Sequence, residues 1–303
     1  MIDIRLASKK EIPELKTLWK LCFGDQDSYI DFYFSHKFQE DETLIMLNGE
    51  KIVSMLTIMP IKIILPNTRS FNSAMLYGIG THPDYRGQGF SSKLIISSEK
   101  HLAIKNTAFS ILVPADNSLF NFYNQQGFEK RFFLRETLLS LDKIKDLRSE
   151  GTYKISISPL SPADFKKRRF SILESQLFTD YPFGQVEYQK KLSLQSGTDL
   201  YGLVCSNLEE KTEEIKGCAL VERRDENRVV IKELLLPKEN FYIPALKKLT
   251  EVLKAREFLI RTPVHLGKSL GGMIRPFGMI KALAGYNLDM LNSEQGYLGI
   301  AFD

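Results

Sequence analysis

The residues with the most chemistry form one run, Tyr77-Gly78-Ile79-Gly80-Thr81-His82-Pro83-Asp84-Tyr85-Arg86-Gly87-Gln88-Gly89-Phe90-Ser91-Ser92. It opens as an apolar strand, turns through glycines and continues as a helix with Leu94, Ile95, Ser98 and Leu102 on one face. The first N–H groups of a helix lack internal partners and the dipole is positive there, so main chain from Arg86 to Ser92 can bind a pyrophosphate. Gly87 and Gly89 suit it, because a side chain there would block close approach or oppose a positive φ. Arg86 adds a permanent charge, and His82 beside Pro83 shapes the turn. A Gly-rich turn also serves as a plain strand-to-helix connection, so the pattern gains meaning only from its surroundings.

Those surroundings read as a mixed α/β unit. Ile2–Leu6 alternates as a half-buried strand, and Ser8 with Glu11 is a capping box for a helix from Lys9 to Cys22 that Gly24 ends. A second helix is expected over Tyr29–Phe38. Leu44–Leu47 and Ile52–Ile58 join at Asn48-Gly49, a strong hairpin signal, and Ile61–Leu65 and Met75–Thr81 extend the sheet. After the Gly-rich turn and its helix come a strand at Phe109–Val113, a helix at Leu119–Gln125 and a strand at Phe132–Leu139. The polar stretch Asp142–Gly151 reads as a linker between domains 1–145 and 152–303.

The run around Arg86 resembles the acetyl-CoA-binding motif of the GNAT superfamily of N-acetyltransferases, Q/R-x-x-G-x-G/A, here Arg86-x-x-Gly89-x-Ser91. Serine replaces glycine or alanine at the last position and brings a hydroxyl that can donate. A second segment, Asn117-Ser118-Leu119-Phe120-Asn121-Phe122-Tyr123-Asn124-Gln125-Gln126-Gly127-Phe128, resembles the same family, in the expected order along the chain. The resemblance implies a mixed α/β GNAT fold, acetyl-CoA as co-substrate and no metal. It also implies that Asn117 lies beside the cofactor, that main chain of Ile79, Gly80 and Thr81 holds the pantetheine, and that Tyr123 protonates the departing thiolate. The acceptor would be an amine on a small molecule or peptide. Many members carry a glutamate near the start of the fourth strand; here the region reads Ala74-Met75-Leu76, with no carboxylate. Asp25, Asp27, Asp116, Glu136 and the C-terminal carboxylate of Asp303 are the candidate bases, and the missing glutamate keeps a non-catalytic acyl-CoA-binding or sensing protein open as an alternative.

The second half restarts a similar order. It has a strand at Tyr153–Ser158, helices at Ala163–Phe178 and Val186–Leu194, and strands at Leu200–Cys205, Cys218–Arg223 and Val229–Leu236. A helix at Pro244–Arg256 and a strand at Phe258–Arg261 follow, and Phe277–Leu283 and Tyr297–Phe302 close it. It lacks the Gly-rich loop, since Pro237-Lys238-Glu239-Asn240-Phe241-Tyr242-Ile243-Pro244 stands there instead. The expectation is a degenerate GNAT-like domain, without cofactor binding, that completes the acceptor cleft. The tandem order resembles the first two domains of the enhanced-intracellular-survival family, whose members acetylate aminoglycosides and lysine side chains. Those members carry a third, sterol-carrier-like domain for which the chain is too short, so their acceptor specificity does not transfer. A tandem-GNAT aminoacyl transferase using charged tRNA fits less well, because those enzymes do not need the acetyl-CoA loop kept intact here.

The remaining features exclude more than they propose. A net charge of +4 from 41 basic and 37 acidic side chains is too small and mixed for a nucleic-acid surface. The basic quartet Lys166-Lys167-Arg168-Arg169 reads as a solvated helix face. Cys22, Cys205 and Cys218 show no paired spacing, so neither a zinc site nor a disulfide framework is expected. With no secretory signature and no run of membrane-spanning length, a soluble cytoplasmic protein is expected, without membrane partners. Gly267-Lys268-Ser269-Leu270-Gly271 matches a nucleophile elbow in letters alone, since Gly271-Gly272 and Pro276 oppose the helix that must follow. His36, His82, His101 and His265 have no ligand spacing.

Overall fold

A computed structural model describes residues 2–66, 69–149, 152–207, 215–293 and 295–301. The chain divides into two compact units, one of Met1–Ile63, Ser70–Glu129 and Met279–Asn292, the other of Ile64–Arg69, Lys130–Gly278 and Ser293–Asp303.

The first unit opens with β1 (Ile2–Leu6), α1 (Ile12–Phe23) and α2 (Asp27–His36). The Ser8/Glu11 capping box forms, with the Ser8 N–H donating to Glu11 Oε2 at 2.7 Å, and α1 stops at Gly24, which takes a φ of 72°. The sheet continues through β2 (Thr43–Asn48), β3 (Lys51–Ile64) and β4 (Ser70–Thr81). The β2–β3 hairpin turns at Asn48-Gly49, as its signal requires, with Gly49 at a φ of 65°. The apolar stretches read as two strands either side of Pro60 are one continuous strand, β3, with Pro60 exposed. Next come α3 (Phe90–Ile104), β5 (Phe109–Leu112) and α4 (Asn117–Gln125).

The core of this unit lies where Leu94, Ile95 and Leu102 of α3 meet Ala74, Leu76 and Leu112 of the sheet. β4 and β5 run parallel, paired only over Ser73–Phe109, Ala74–Ser110 and Met75–Ile111. Residues 279–282 complete the sheet beyond β5, antiparallel, with Ile280 opposite Ile111.

The second unit contains β6 (Glu129–Ser140), α5 (Leu141–Asp146), β7 (Tyr153–Pro159), α6 (Pro162–Leu173) and β8 (Phe178–Asp180). It continues with α7 (Phe183–Gln195), β9 (Leu200–Asn207), β10 (Ile215–Arg223), β11 (Arg228–Leu235), α8 (Tyr242–Leu253), β12 (Glu257–Thr262) and, as far as Gly278, β13 (Met273–Ala282), whose last four residues belong to the first unit. Its strands run in the order β6-β12-β11-β10-β9-β7, with β11 and β12 parallel and the other pairs antiparallel. The stretch read as a linker holds a helix, α5, capped by Ser140 and pinned by the buried Ile144; Glu150 and Gly151 lie outside the described residues. The helix expected as far as Phe178 ends at Leu173, because Phe178 and Thr179 are extended and Thr179 N–H donates to Tyr297 O at 3.1 Å. In the closing run, Gly296 and Tyr297 make isolated bridges to Phe132 and Phe178, and Phe302 lies outside the described residues.

The basic quartet is a correction. Only Lys167 fits a solvated face. Lys166 pairs with Asp180 at 2.7 Å, and Arg168 donates to Gly217 O at 2.9 Å and Leu203 O at 3.2 Å. Arg169 is 2% exposed and donates from Nε to both Glu233 oxygens, at 3.0 and 3.1 Å, and from Nη2 to Leu298 O at 3.1 Å. Guanidiniums serve here as multi-armed donors to backbone carbonyls and to a buried carboxylate.

Glu233 is fully buried, and burial pushes its carboxyl above the ordinary range with the Arg169 charge opposing. Removing the cation alone strands that charge. Arg169→Met is therefore expected to cost about 3–5 kcal/mol of stability, and adding Glu233→Gln to recover part of it. Urea unfolding of the two variants checks this; a double variant no more stable than Arg169→Met would show that the buried charge is not the cause.

Candidate functional site

In the first unit a cleft of about 430 Å³ opens where β4 leaves β5 and α3 begins. Its walls include Ile79, Gly80 and Thr81 from β4, Arg86, Gly87 and Gly89 from the turn, and Phe90, Ser91 and Ser92 from α3. Nine of the residues singled out for donor binding thus share one cavity. Gln88 and Asn117 are exposed and not among the lining residues. Tyr123 is 7% exposed and packs in the core against Phe128, while its neighbour Phe122 lines the cleft.

The turn has the geometry an anion needs. Gly87 and Gly89 take φ values of 76° and 72°, left-handed conformations that favour glycine. Gly89 is the N-cap of α3, with no side chain closing the helix start. The N–H groups of Phe90, Ser91 and Ser92 therefore lack helical acceptors. By contrast, α4 is capped by Asp116, whose carboxylate accepts from Ser118 N–H at 2.8 Å and Leu119 N–H at 3.2 Å. Arg86 is held to the wall by its Nε, which donates to Thr81 O at 3.2 Å. His82 does shape the turn, its Nδ1 accepting from Asp84 N–H at 3.3 Å.

Gly80 shows how tightly the strand is covered. A Cβ there would meet Cys22 Sγ at 3.0 Å, Cys22 Cβ at 3.1 Å and Phe23 Cζ at 3.2 Å, so the end of α1 lies directly on the backbone. Both Cys22 and Phe23 line the cleft. Burial raises the Cys22 thiol pKa while the Arg86 charge opposes. Sequence reasoning missed this pair, although Cys22 and Phe23 follow Trp19 at helical spacing and Trp19 packs against Gly78.

Three hydroxyls join the strand to the helix. Ser54 of β3 contacts Gly80 O at 2.7 Å and Thr81 Oγ1 at 2.9 Å, and Thr81 Oγ1 lies 2.9 Å from Ser91 Oγ. Ser54 gave no sequence signal, because residues 52–59 are buried on both faces and show no alternation.

The candidate bases are occupied elsewhere. Asp25 accepts from the Trp19 indole N–H at 2.8 Å, and Asp27 pairs with Lys20 at 2.7 Å. Asp116 caps α4, and the Ser118 hydroxyl chiefly depresses its pKa. In the second unit Glu136 accepts from Arg275 and Arg261; burial acts to raise its pKa, but the two guanidiniums bring it below the ordinary range. Asp303 lies outside the described residues. No carboxylate or histidine lines the cleft among the described residues. Ser269, the nucleophile of the apparent elbow, sits in a short turn with its N–H and hydroxyl both donating to Glu239.

Among the described residues there is no group of side chains arranged to hold a metal and no helix long and apolar enough to cross a membrane. Tyr123 remains protonated across the neutral range, burial and then the Asp116 charge pushing its hydroxyl up to about 12.

Residues 3–131 match the family model described as an acetyltransferase (GNAT) domain. Over 93% of its length the chain superimposes on an Enterococcus faecalis protein described as a probable N-acyltransferase, with a TM-score of 0.67, 16% identity and 73% of that chain covered. It likewise matches Eis1 from Mycobacterium abscessus at a TM-score of 0.67 and 11% identity, over 93% of this chain and 74% of that one. A tandem GNAT protein from the clavulanic acid biosynthesis pathway is matched at a TM-score of 0.57 and 10% identity, over 93% of this chain and 98% of that one. Residues 3–131 thus resemble a GNAT acetyltransferase domain, and the chain as a whole shares its fold with tandem GNAT proteins.

Proposed function

We propose that the first unit binds acetyl-coenzyme A in this cleft and transfers the acetyl group to an amine of a small molecule or peptide by direct attack in a ternary complex. The observation that carries this reading is the uncapped start of α3, entered through two left-handed glycines, facing the same cavity as the part of β4 that runs on past β5. The donor supplies an activated acyl thioester. The N–H groups of Phe90, Ser91 and Ser92 and the Arg86 charge receive its pyrophosphate, and the β4 main chain from Ile79 to Thr81 aligns the pantetheine arm. The second unit is a degenerate relative of the first without a donor site.

In this reading the amine nitrogen forms a bond to the carbonyl carbon, the carbon–sulfur bond breaks, and the thiolate takes a proton from Tyr123. With no carboxylate in the wall among the described residues, the acceptor proton leaves through water, which also returns a proton to Tyr123, so the amine must arrive largely neutral. Placing both reactants in one cleft supplies much of the rate. A non-catalytic acyl-CoA sensor is the second reading, favoured by the same absence of a carboxylate and by the burial of Tyr123.

Gly89→Glu, which puts an anion where the pyrophosphate sits and strains a left-handed position, is expected to weaken acetyl-CoA binding by about 100-fold or more in calorimetry. Equal affinity would remove the donor assignment. Tyr123→Phe is expected to lower turnover by about 10²–10⁴-fold with donor affinity unchanged. Unchanged turnover would remove Tyr123 from the proton transfer, whereas donor binding with no turnover of any amine by the parent would favour the sensor.

Because Tyr123 titrates only near about 12, the rise of kcat/KM with pH is expected to follow the acceptor. Two acceptors of different amine pKa should shift the rising limb by that difference. A limb at one fixed pH for both would reveal a base in the protein.

A further inference from the structure

The three hydroxyls beneath the cleft carry three protons, and the distances fix where each one lies. Ser54 Oγ is 2.7 Å from Gly80 O, a carbonyl that can only accept, so the Ser54 proton lies between them. The 2.9 Å contact from Ser54 to Thr81 then needs the Thr81 proton, and the 2.9 Å contact from Thr81 to Ser91 needs the Ser91 proton. The chain therefore runs Ser91 to Thr81 to Ser54 to Gly80 O, every donor pointing inward. Ser91 and Thr81 both line the cleft, whereas Ser54 is fully buried and does not. Without a ligand, Ser91 turns lone pairs, not a proton, toward the cavity.

An anion at the start of α3 meets the wrong end of that hydroxyl. For Ser91 to donate to it, the whole chain must reverse: Ser54 donates to Thr81, Thr81 to Ser91, and Ser91 to the anion. Both hydroxyl–hydroxyl contacts survive the reversal, and only Gly80 O loses its proton. We propose that Ser54 and Thr81 are positioning residues for the donor's pyrophosphate, acting through a hydroxyl chain that reverses when Ser91 engages the anion, so that binding at α3 is coupled to the β4 carbonyl of Gly80. The inference rests on the donor assignment above, and Ser54 acts in it without lining the cleft.

The coupling has a sign. In the parent, binding breaks the Ser54–Gly80 bond. In Ser54→Ala that bond is already absent, so reversal has nothing to break and coenzyme A should bind about fivefold more tightly, the equivalent of one net hydrogen bond of about 1 kcal/mol. Once Ser91 is alanine the chain cannot reach the anion, and the same Ser54→Ala change should leave affinity unaltered. A merely structural role for Ser54 would alter both backgrounds equally.

The test is calorimetric titration of coenzyme A into the parent, Ser54→Ala, Ser91→Ala and the double variant. A gain confined to the Ser91 background is the expected result. An equal change in both backgrounds, or none in the parent background, would overturn the coupling while leaving the donor assignment intact. No binding of coenzyme A by the parent would overturn both. Should Ser54→Ala fail to fold, Thr81→Val cuts the chain at its middle with nearly the same shape, and the same pattern is required of it: tighter binding with Ser91 present, no change with alanine there.

Discussion

Everything in the first unit follows from how briefly β4 and β5 pair. Parallel neighbours bury hydrogen-bonding groups on both edges, and each group must find a partner. Here the register ends at Met75–Ile111, and β4 runs on through Leu76–Thr81 without β5 beside it. Thr81 O there accepts from Arg86 Nε, and groups that the protein's own side chains leave open can turn to water or a ligand in the cleft. The start of α3 meets the same condition, because its first N–H groups have no side-chain cap. The β4 stretch past β5 and the uncapped start of α3 thus face one cavity, and the proposed donor site rests on that pair of features.

The second unit meets the same constraint in another way. β11 and β12 pair in parallel from Arg228–Glu257 to Ile231–Ile260, and β11 continues through Lys232–Leu235 past the end of that register. The closing segment 297–301 packs against this part of the unit. Leu298 O accepts from Arg169 Nη2 and Thr179 Oγ1, Ile300 O from the Tyr181 hydroxyl, and Ala301 O from Lys232 Nζ at 3.5 Å. Gly299 holds a φ of 72°, and a Cβ there would collide with Glu233 Oε1. Buried Leu298 and Ile300 fill the space with the protein's own chain. The prolines and bulky residues that replace the glycine turn after β11 therefore belong to a unit whose buried Arg169, Thr179 and Tyr181 find acceptors in its own closing segment.

Legibility in the sequence tracked the range of the forces involved. The capping box, the Asn48-Gly49 turn and the Gly87/Gly89 turn are local, set by a few residues and their φ angles, and they form where the residues place them. The helix face of Leu94, Ile95, Ser98 and Leu102 is periodic, and all four are buried. What the sequence concealed depends on partners far along the chain. Arg169 reads as one of four solvated cations until Glu233 and Leu298 arrive from 64 and 129 residues away. Residues 279–282 belong to the first unit's sheet only because Lys281 faces Ser110, and no spacing announces that. Ser54 is silent because its strand is buried on both faces, so its hydroxyl cannot be told from any other core serine.

Tyr123 and Phe122 show why a motif locates a helix more firmly than a hydroxyl. Both sit on α4, one residue apart, so they point about 100° apart around its axis. The structure turns Phe122 to the cleft and packs Tyr123 against Phe128 in the core. Burial that raises the Tyr123 pKa keeps its proton on at neutral pH, which a proton donor needs, while reducing its drive to give that proton up. Among the described residues, the cleft wall contributes no carboxylate to offset this. In the proposed transfer, the rate would then rest on the acceptor amine's own basicity and on how well the covered strand at Gly80, pressed by Cys22 and Phe23, holds the two reactants in line.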